Sequence, residues 1–256
     1  MLDITKFTFT EGALMTKILY KPLFNILMLI YIYMPGQDMG LAIIVLTLII
    51  RIILFPSYLN TLKSQYALKQ IQPKIDEIKK RYEDDKTRQS QELMNVYKEN
   101  KVNPLSSCLP LIIQLPILFA LYRVFTFGLN VDSLAFLYAW FPQVPDTINT
   151  VFLAFLNIPS LTVDLAASNL YLAIMAGIIQ FFQSWLMTKF QPQPQGGGMA
   201  KMLTMQMVYF FPIITVFIAM SLPAALALYW VATTFFMAIQ QLIVMSKLGK
   251  SLINNK

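Results

Sequence analysis

The chain has 256 residues, of which 57% are hydrophobic and only 13% are charged, and its formal net charge is +7. Soluble domains carry about 25% charged residues, so this chain has too few charges to cover a surface that faces water. The composition excludes soluble, disordered and fibrous proteins and predicts a polytopic membrane protein. The lack of histidine and the single cysteine exclude histidine-ligated metal and haem sites, Ser-His-Asp triads and intrachain disulfides.

The N-terminal segment, residues 1–38, contains one short apolar run, Leu23–Met34. Its twelve residues are fewer than the roughly 20 that a membrane-spanning helix needs. We therefore expect an interfacial helix here. An uncleaved span is the alternative, because the lysines that precede the run would favour the cytoplasmic side.

Five longer apolar stretches are predicted to cross the membrane, since each approaches the roughly 20 residues that a span requires. These core spans are residues 39–58, 105–127, 170–189, 202–220 and 224–245. The segments between and after them are a loop at 59–104, an outer loop at 128–169, a QPQPQGGG-containing linker at 190–201 and a short basic tail at 246–256. The sequence predicts an all-α polytopic membrane protein with a five-span core, a cytoplasmic helical hairpin and an N-terminal interfacial helix.

Basic residues favour one side of this arrangement. Ten of the 20 Lys and Arg residues lie in the 59–104 loop, whereas the 128–169 segment has none. Cytoplasmic loops of membrane proteins are enriched in Lys and Arg. The bias therefore predicts that the 59–104 loop, the 190–201 linker and the C-terminal tail face the cytoplasm.

The 59–104 loop is predicted to fold into a helical hairpin. An apolar stripe at steps of three and four residues indicates a first amphipathic helix: Leu68, Ile71, Ile75 and Ile78. A second short helix follows an acidic turn and is marked by Leu93, Val96 and Tyr97. Two such helices joined by a short polar turn form an antiparallel hairpin. It is either a solvated spacer or a docking surface for a cytosolic partner.

Arg51 lies in the middle of the first predicted core span, twelve residues after Met39 and twelve before Lys63. An arginine at this depth costs about 2.5–3.5 kcal/mol on insertion scales and usually faces a bundle interior or a water-filled cavity. The five predicted spans contain no Asp or Glu, so its candidate partners are uncharged: Thr47, Gln114, Gln180, Gln183, Thr233 and Thr234. With Arg51 these groups can line a wet, positively charged groove. Snorkelling to the cytoplasmic headgroups is the alternative.

Three runs carry specific motifs: GLAIIVLTLIIRIILFP at 40–56, the stretch from LKQIQPKIDEIKKRYEDDK to CLPLIIQLPILFALYRVF at 68–125, and SLPAALALYWVATTFFMAIQQ at 221–241. Together they resemble the YidC/Oxa/Alb family of membrane protein insertases, in its bacterial YidC form without the large periplasmic domain. The resemblance covers essentially the whole chain after about Pro22.

The resemblance implies a hydrophilic, positively charged groove that is open to the cytoplasm and to lipid and closed on the outer side. It implies that the substrate groove is formed by Arg51, Thr47, Gln114, Leu115, Leu118, Tyr229, Trp230 and Thr233. Tyr229 and Trp230 match an aromatic pair along which a nascent helix slides. The chain departs from the family at Thr233-Thr234, where an Asn is frequent, and in its tail, which is far shorter than the ribosome-binding tails of some members.

The predicted function is therefore that of a membrane protein insertase, which guides hydrophobic segments of nascent proteins into the bilayer. The resemblance implies no enzymatic activity, no cofactor and no metal. The implied partners are nascent membrane proteins and the lipid bilayer, with the ribosome, the signal recognition particle receptor and the Sec translocon as candidates, and no specific nucleic acid sequence. We expect a multi-pass protein of the bacterial inner or plasma membrane with a cytoplasmic C-terminus. A membrane-protein chaperone or assembly scaffold is the alternative, and a small-solute transporter is a weaker one because the chain shows no internal repeat.

Overall fold

The computed structural model describes residues 16–103, 109–129, 131–142, 146–156, 158–190, 202 and 205–253. Its α-helices are α1 (Lys21–Tyr33), α2 (Met39–Arg81), α3 (Lys86–Glu99), α4 (Leu109–Phe127), α5 (Leu170–Phe190), α6 (Phe211–Met220) and α7 (Ala224–Ile253). An antiparallel ladder pairs β1 (Val151–Phe152) with β2 (Val163–Asp164). The predicted all-α membrane fold is confirmed, and the ladder within the 128–169 segment is an addition that the sequence did not predict.

Three helices of the described residues are long and apolar enough to cross a membrane: Met39–Arg81, Leu170–Lys189 and Ala224–Ser246. The second and fourth predicted spans correspond to shorter apolar helices, Ile112–Phe127 and Gln206–Met220. Residues 105–108 and 203–204 of those predicted spans lie outside the described residues, so the five-span count stays a prediction. The predicted linker from 191 to 201 also lies outside them, and α7 continues through most of the predicted tail to Ile253.

Helix α2 is longer than the span that the sequence predicted. It begins after Asp38, whose Oδ1 accepts a hydrogen bond from the backbone N–H of Leu41 at 2.9 Å. It then runs for 43 residues through Pro56 and Pro73, which is about 65 Å at 1.5 Å per residue. The sequence interpretation divided this stretch at residue 58. In the structure the first hairpin helix is the direct continuation of the first core span.

The C-terminal part of α2 and the whole of α3 form the predicted hairpin. Asp85 caps α3, because its Oδ1 accepts a hydrogen bond from the backbone N–H of Arg88 at 2.9 Å. The two helices enclose a separate apolar cluster whose buried members are Leu68, Ile71, Ile75 and Val102. The partly buried side chains packed on this cluster include Leu93, Val96 and Tyr97. The structure thus confirms the helical hairpin and most of its predicted apolar stripe; Ile78 is half-buried.

Helix α1 packs at the end of the bundle that we call the outer end, after the predicted topology. It contributes Phe24, Leu27, Met28 and Tyr31 to the main apolar cluster. Asn25 connects α1 to the 128–169 segment: its amide donates to the carbonyl of Phe136 at 3.1 Å and its Oδ1 accepts from the N–H of Tyr138 at 2.8 Å. The 13 residues of α1 continue directly from a π-helical turn, Thr16–Tyr20, and together they extend about 25 Å, less than the roughly 30 Å of a hydrocarbon core. An interfacial position therefore remains our prediction.

The 128–169 segment joins the outer ends of α2 and α7. Asp38 uses its second carboxylate oxygen, Oδ2, to accept a hydrogen bond from the N–H of Leu153 at 2.6 Å. At the start of α7, the N–H of Ala224 donates to the carbonyl of Ala167 at 2.7 Å. These bonds tie the segment to the capping residue of α2 and to the first backbone N–H of α7, so the segment is integrated with the bundle.

The remaining helices form a packed group in which α5 contacts both α6 and α7, and α7 contacts α2. Gly177 permits the close approach of α5 to α6, since a Cβ at this position would lie 2.3 Å from Cγ2 of Val216. The contact between α2 and α7 holds the polar residues described next.

Candidate functional site around Arg51

Arg51 lies where α2, α4 and α7 meet, and its side chain is 8% exposed. Its Nε donates a hydrogen bond to Oγ1 of Thr233 at 2.6 Å, and its Nη2 donates to Oε1 of Gln114 at 2.9 Å. Among the described residues, no carboxylate forms an ion pair with the guanidinium. Two neutral acceptors therefore satisfy part of the guanidinium while its positive charge stays uncompensated.

Gln114 connects the arginine to α7 through a second hydrogen bond. Its Nε2 donates to the hydroxyl oxygen of Tyr229 at 2.6 Å. Tyr229 and Thr233 are four residues apart on α7, so they lie on the same face of that helix. We call the four side chains Arg51, Gln114, Tyr229 and Thr233 the polar cluster.

A small open cavity lies beside the polar cluster. Its lining residues are Arg51, Leu54, Ser57, Tyr58, Thr61, Ile113 and Gln114. On α2 the lining runs from Arg51 to Thr61, so the cavity extends from the middle of the predicted span toward the hairpin. The outer end of the same helix is joined to the 128–169 segment through Asp38. The cavity is therefore offset toward the predicted cytoplasmic side.

The structure brings together three of the polar residues that the sequence predicted for the groove, Arg51, Gln114 and Thr233, with the aromatic Tyr229. Thr47 is also buried, but its hydroxyl donates to the carbonyl of Ile43 at 2.7 Å. That bond lies within its own helix, and Thr47 is not among the cavity residues.

The predicted apolar groove residues differ in exposure. Leu115 is exposed on α4, whereas Leu118 is half-buried against the main apolar cluster. On α7, Trp230 is half-buried and its neighbour Tyr229 is 2% exposed, so the two aromatic side chains differ in their access to the surroundings.

The sequence interpretation missed several residues that line the cavity on α2: Leu54, Ser57, Tyr58 and Thr61. A signal for them was present. Positions 54, 58 and 61 follow Arg51 at steps of three and four residues, which place side chains on one helical face. Tyr58 further contacts α7, where its hydroxyl donates to the carbonyl of Met237 at 3.4 Å.

Within the described residues, no three Cys, Asp or Glu side chains come close enough together to hold a metal ion. The chemistry that this site offers is that of a fixed cation, neutral hydrogen-bonding groups and an open, partly apolar wall. Such a site can attract and solvate a polar or acidic group.

The sequence profile of the 60Kd inner membrane protein family matches residues 30–251 of the chain. This range includes the polar cluster, the hairpin and all five predicted core spans.

Three bacterial proteins, each named membrane protein insertase YidC, are similar to the chain. The Clostridium tetani protein is 34% identical over 87% of this chain and 88% of its own length. The Oceanobacillus iheyensis protein is 34% identical over 82% of this chain and 75% of its own length. The Bradyrhizobium diazoefficiens protein is 32% identical over 90% of this chain, but the chain spans only 36% of that protein's length.

Proposed function

This chain belongs to the 60Kd inner membrane protein family, and on that premise we propose that it is a membrane protein insertase that uses the cavity around Arg51. The family and the long apolar helices identify it as a bacterial membrane protein. The observation that carries the proposal is a guanidinium held at the middle of a spanning helix by neutral acceptors, beside a cavity.

The physical task of an insertase is to lower the barrier for a polar segment that must cross the hydrocarbon core. A charged side chain at the centre of a bilayer costs about 2.5–3.5 kcal/mol on insertion scales. A cavity that extends from one side to Arg51 shortens the apolar distance that such a segment must cross. Polar groups and water within the cavity solvate the segment, and the uncompensated charge of Arg51 attracts its acidic residues.

The apolar part of the substrate requires a route to lipid. Exposed apolar side chains on α4 are available beside the cavity, among them Ile112 and Leu115. They adjoin the cavity residues Ile113 and Gln114 in sequence. We propose that a nascent helix leaves the cavity along this face and partitions into the bilayer by burial of its apolar surface.

We further propose that the hairpin and the C-terminus face the cytoplasm, where polypeptides are made. Ten basic residues in the 59–104 loop support this orientation. The partners would be nascent membrane proteins and lipid, with the ribosome, the signal recognition particle receptor and the Sec translocon as candidates on the same side.

Reconstitution into liposomes tests the proposal. The assay measures insertion of two single-span substrates that differ only in the acidity of their translocated tails. Arg51→Ala should reduce insertion of the acidic tail more than that of the neutral tail. Arg51→Lys should retain part of the preference because it keeps the charge, although an ammonium cannot reproduce the two directed bonds of the guanidinium.

Arg123→Ala is the matched control, because it removes the same side chain from α4 at a position outside the polar cluster. Insertion is normalised to folded protein. Equal losses for both tails in Arg51→Ala would reject the electrostatic role of Arg51. Solute flux without insertion would indicate a transporter. The absence of both activities would favour a chaperone or an assembly scaffold.

A further inference from the structure

We propose that Tyr229 is a positioning residue for Arg51, acting through Gln114, and that it does not contact the substrate. The proposal rests on the proposed function, because its functional consequence is seen in the handling of acidic tails. The residue was expected to form a sliding surface together with Trp230. Its burial and hydrogen bonding assign it a different role.

Burial is the first observation. Tyr229 is 2% exposed and belongs to the main apolar cluster, where its ring lies 6.3 Å from that of Phe125, centroid to centroid. Neither lipid nor a passing helix can reach a side chain in this environment without displacing its neighbours. Trp230, the next residue, is half-buried and remains available for such contact.

The second observation is the direction of the hydrogen bonds. Arginine has only donors, so the group of Gln114 that faces Nη2 of Arg51 must be its carbonyl oxygen. The amide nitrogen of Gln114 then points to Tyr229, and the tyrosine hydroxyl must accept from it, as the 2.6 Å contact shows. The donor-only arginine thus sets the orientation of the amide, and the Tyr229 hydroxyl, by accepting from Nε2, holds Gln114 in the place where its carbonyl oxygen meets the arginine.

The third observation is that both residues that hold the guanidinium, directly or through Gln114, lie on α7. Thr233 accepts from Nε of Arg51, and Tyr229 holds the glutamine that accepts from Nη2. Both lie on one face of α7, four residues apart. Helix α7 therefore fixes the guanidinium at two edges, directly and through α4. Without the tyrosine hydroxyl, Gln114 can rotate and the second edge is released.

A spectroscopic experiment tests positioning without any assay of insertion. The chain has only four arginines, at positions 51, 81, 88 and 123, so ¹⁵Nε labelling of arginine in detergent micelles gives few signals. The signal of Arg51 is identified by its loss in Arg51→Lys. Tyr229→Phe removes only the hydroxyl and should shift or broaden the Arg51 signal, as should Gln114→Met. Tyr209→Phe, the same change on an exposed ring, should leave it in place.

Insertion of the acidic-tail and neutral-tail substrates supplies the second readout. Tyr229→Phe should lower the preference for the acidic tail about two- to tenfold, the effect of one lost neutral hydrogen bond. Gln114→Met should lower it by a similar factor, and the double variant should lose no more than the single variants. A merely structural role would instead reduce insertion of both substrates equally.

The outcomes separate this proposal from the proposed function. An Arg51 signal that does not change in Tyr229→Phe would overturn the positioning role, as would independent, additive losses in the double variant. If Arg51→Ala leaves the tail preference unaltered, the proposed role of Arg51 in insertion fails. A shifted Arg51 signal in Tyr229→Phe would still support the positioning role in that case.

Discussion

Thr233→Val is the most direct test of whether the bonds of the polar cluster are strong. Valine has nearly the shape of threonine but cannot accept the hydrogen bond that Nε of Arg51 donates at 2.6 Å. Thr233 is 5% exposed and Arg51 is 8% exposed, so little solvent-exposed surface is available to replace the lost acceptor. The substitution therefore leaves one N–H of a buried cation unsatisfied.

The expected cost follows from the charge of the donor. A neutral hydrogen bond between membrane helices contributes about 0.6 kcal/mol on average. Hydrogen bonds to charged groups contribute about 1.5–3 kcal/mol, and a buried group left unsatisfied costs a similar amount. We expect Thr233→Val to lower the free energy of unfolding by about 1.5–3 kcal/mol, well above the value for neutral interhelical contacts.

Thr234→Val is the matched control. Thr234 is the next residue, is 4% exposed, and forms no hydrogen bond to any described residue. Removing a hydroxyl that has no hydrogen-bond partner among the described residues is expected to be nearly neutral. Reversible unfolding in mixed micelles, followed by circular dichroism, measures both variants. Equal free energies of unfolding for the two would refute the view that the Arg51–Thr233 bond holds the site together.

Two other predictions concern the hairpin. In a Cys108→Ser background, the cysteine introduced by Lys86→Cys should resist membrane-impermeant thiol reagents in intact cells and react with them after lysis. Labelling of this cysteine in intact cells would refute the predicted cytoplasmic position of the hairpin. Backbone amides of α3 should exchange faster than those in the middle of α7, since α3 packs through the small cluster of Leu68, Ile71, Ile75 and Val102. Equal protection in hydrogen-exchange mass spectrometry would contradict this view of the hairpin.

The sequence predicted the members of the polar cluster better than their contacts. Arg51 was identified because a charge in an apolar span is costly, and Gln114 and Thr233 were identified as polar groups in other spans. The contacts depend on how each helix is rotated about its axis, which hydropathy alone does not determine. Tyr229 shows the difference, since its sequence position is compatible with a lipid-facing surface whereas its packing places it inside.

The hairpin was predictable because its apolar stripe has a clear helical period. The continuity of α2 was not predicted, since the apolar stretch of the first core span ends near residue 58 and a more polar sequence follows. Proline is tolerated inside membrane helices where neighbouring groups satisfy the freed backbone. In α2 the helix continues through both Pro56 and Pro73. The arginine and the first arm of the hairpin therefore belong to one continuous helix.

The outer ladder was also beyond sequence reasoning, because each of its strands has only two residues. Such strands carry no measurable alternation of polarity. Their position is set by the contacts that Asp38 and the first residues of α7 make with the 128–169 segment. Apolar side chains of this segment, among them Phe141 and Leu165, pack in the main apolar cluster of the bundle.

The predicted spans contain no acidic residues, and the geometry at Arg51 gives a physical reason for this absence. A carboxylate at the position of Gln114 or Thr233 would satisfy the same donors, but it would also neutralise the guanidinium. An amide and a hydroxyl satisfy the directional bonds and leave the charge in place. The remaining charge can then act on an acidic group that enters the cavity, as the proposed function requires. The same reasoning predicts that Gln114→Glu should stabilise the fold and abolish the preference for acidic tails in the liposome assay. Retention of that preference in Gln114→Glu would show that the charge of Arg51 is not what attracts the substrate.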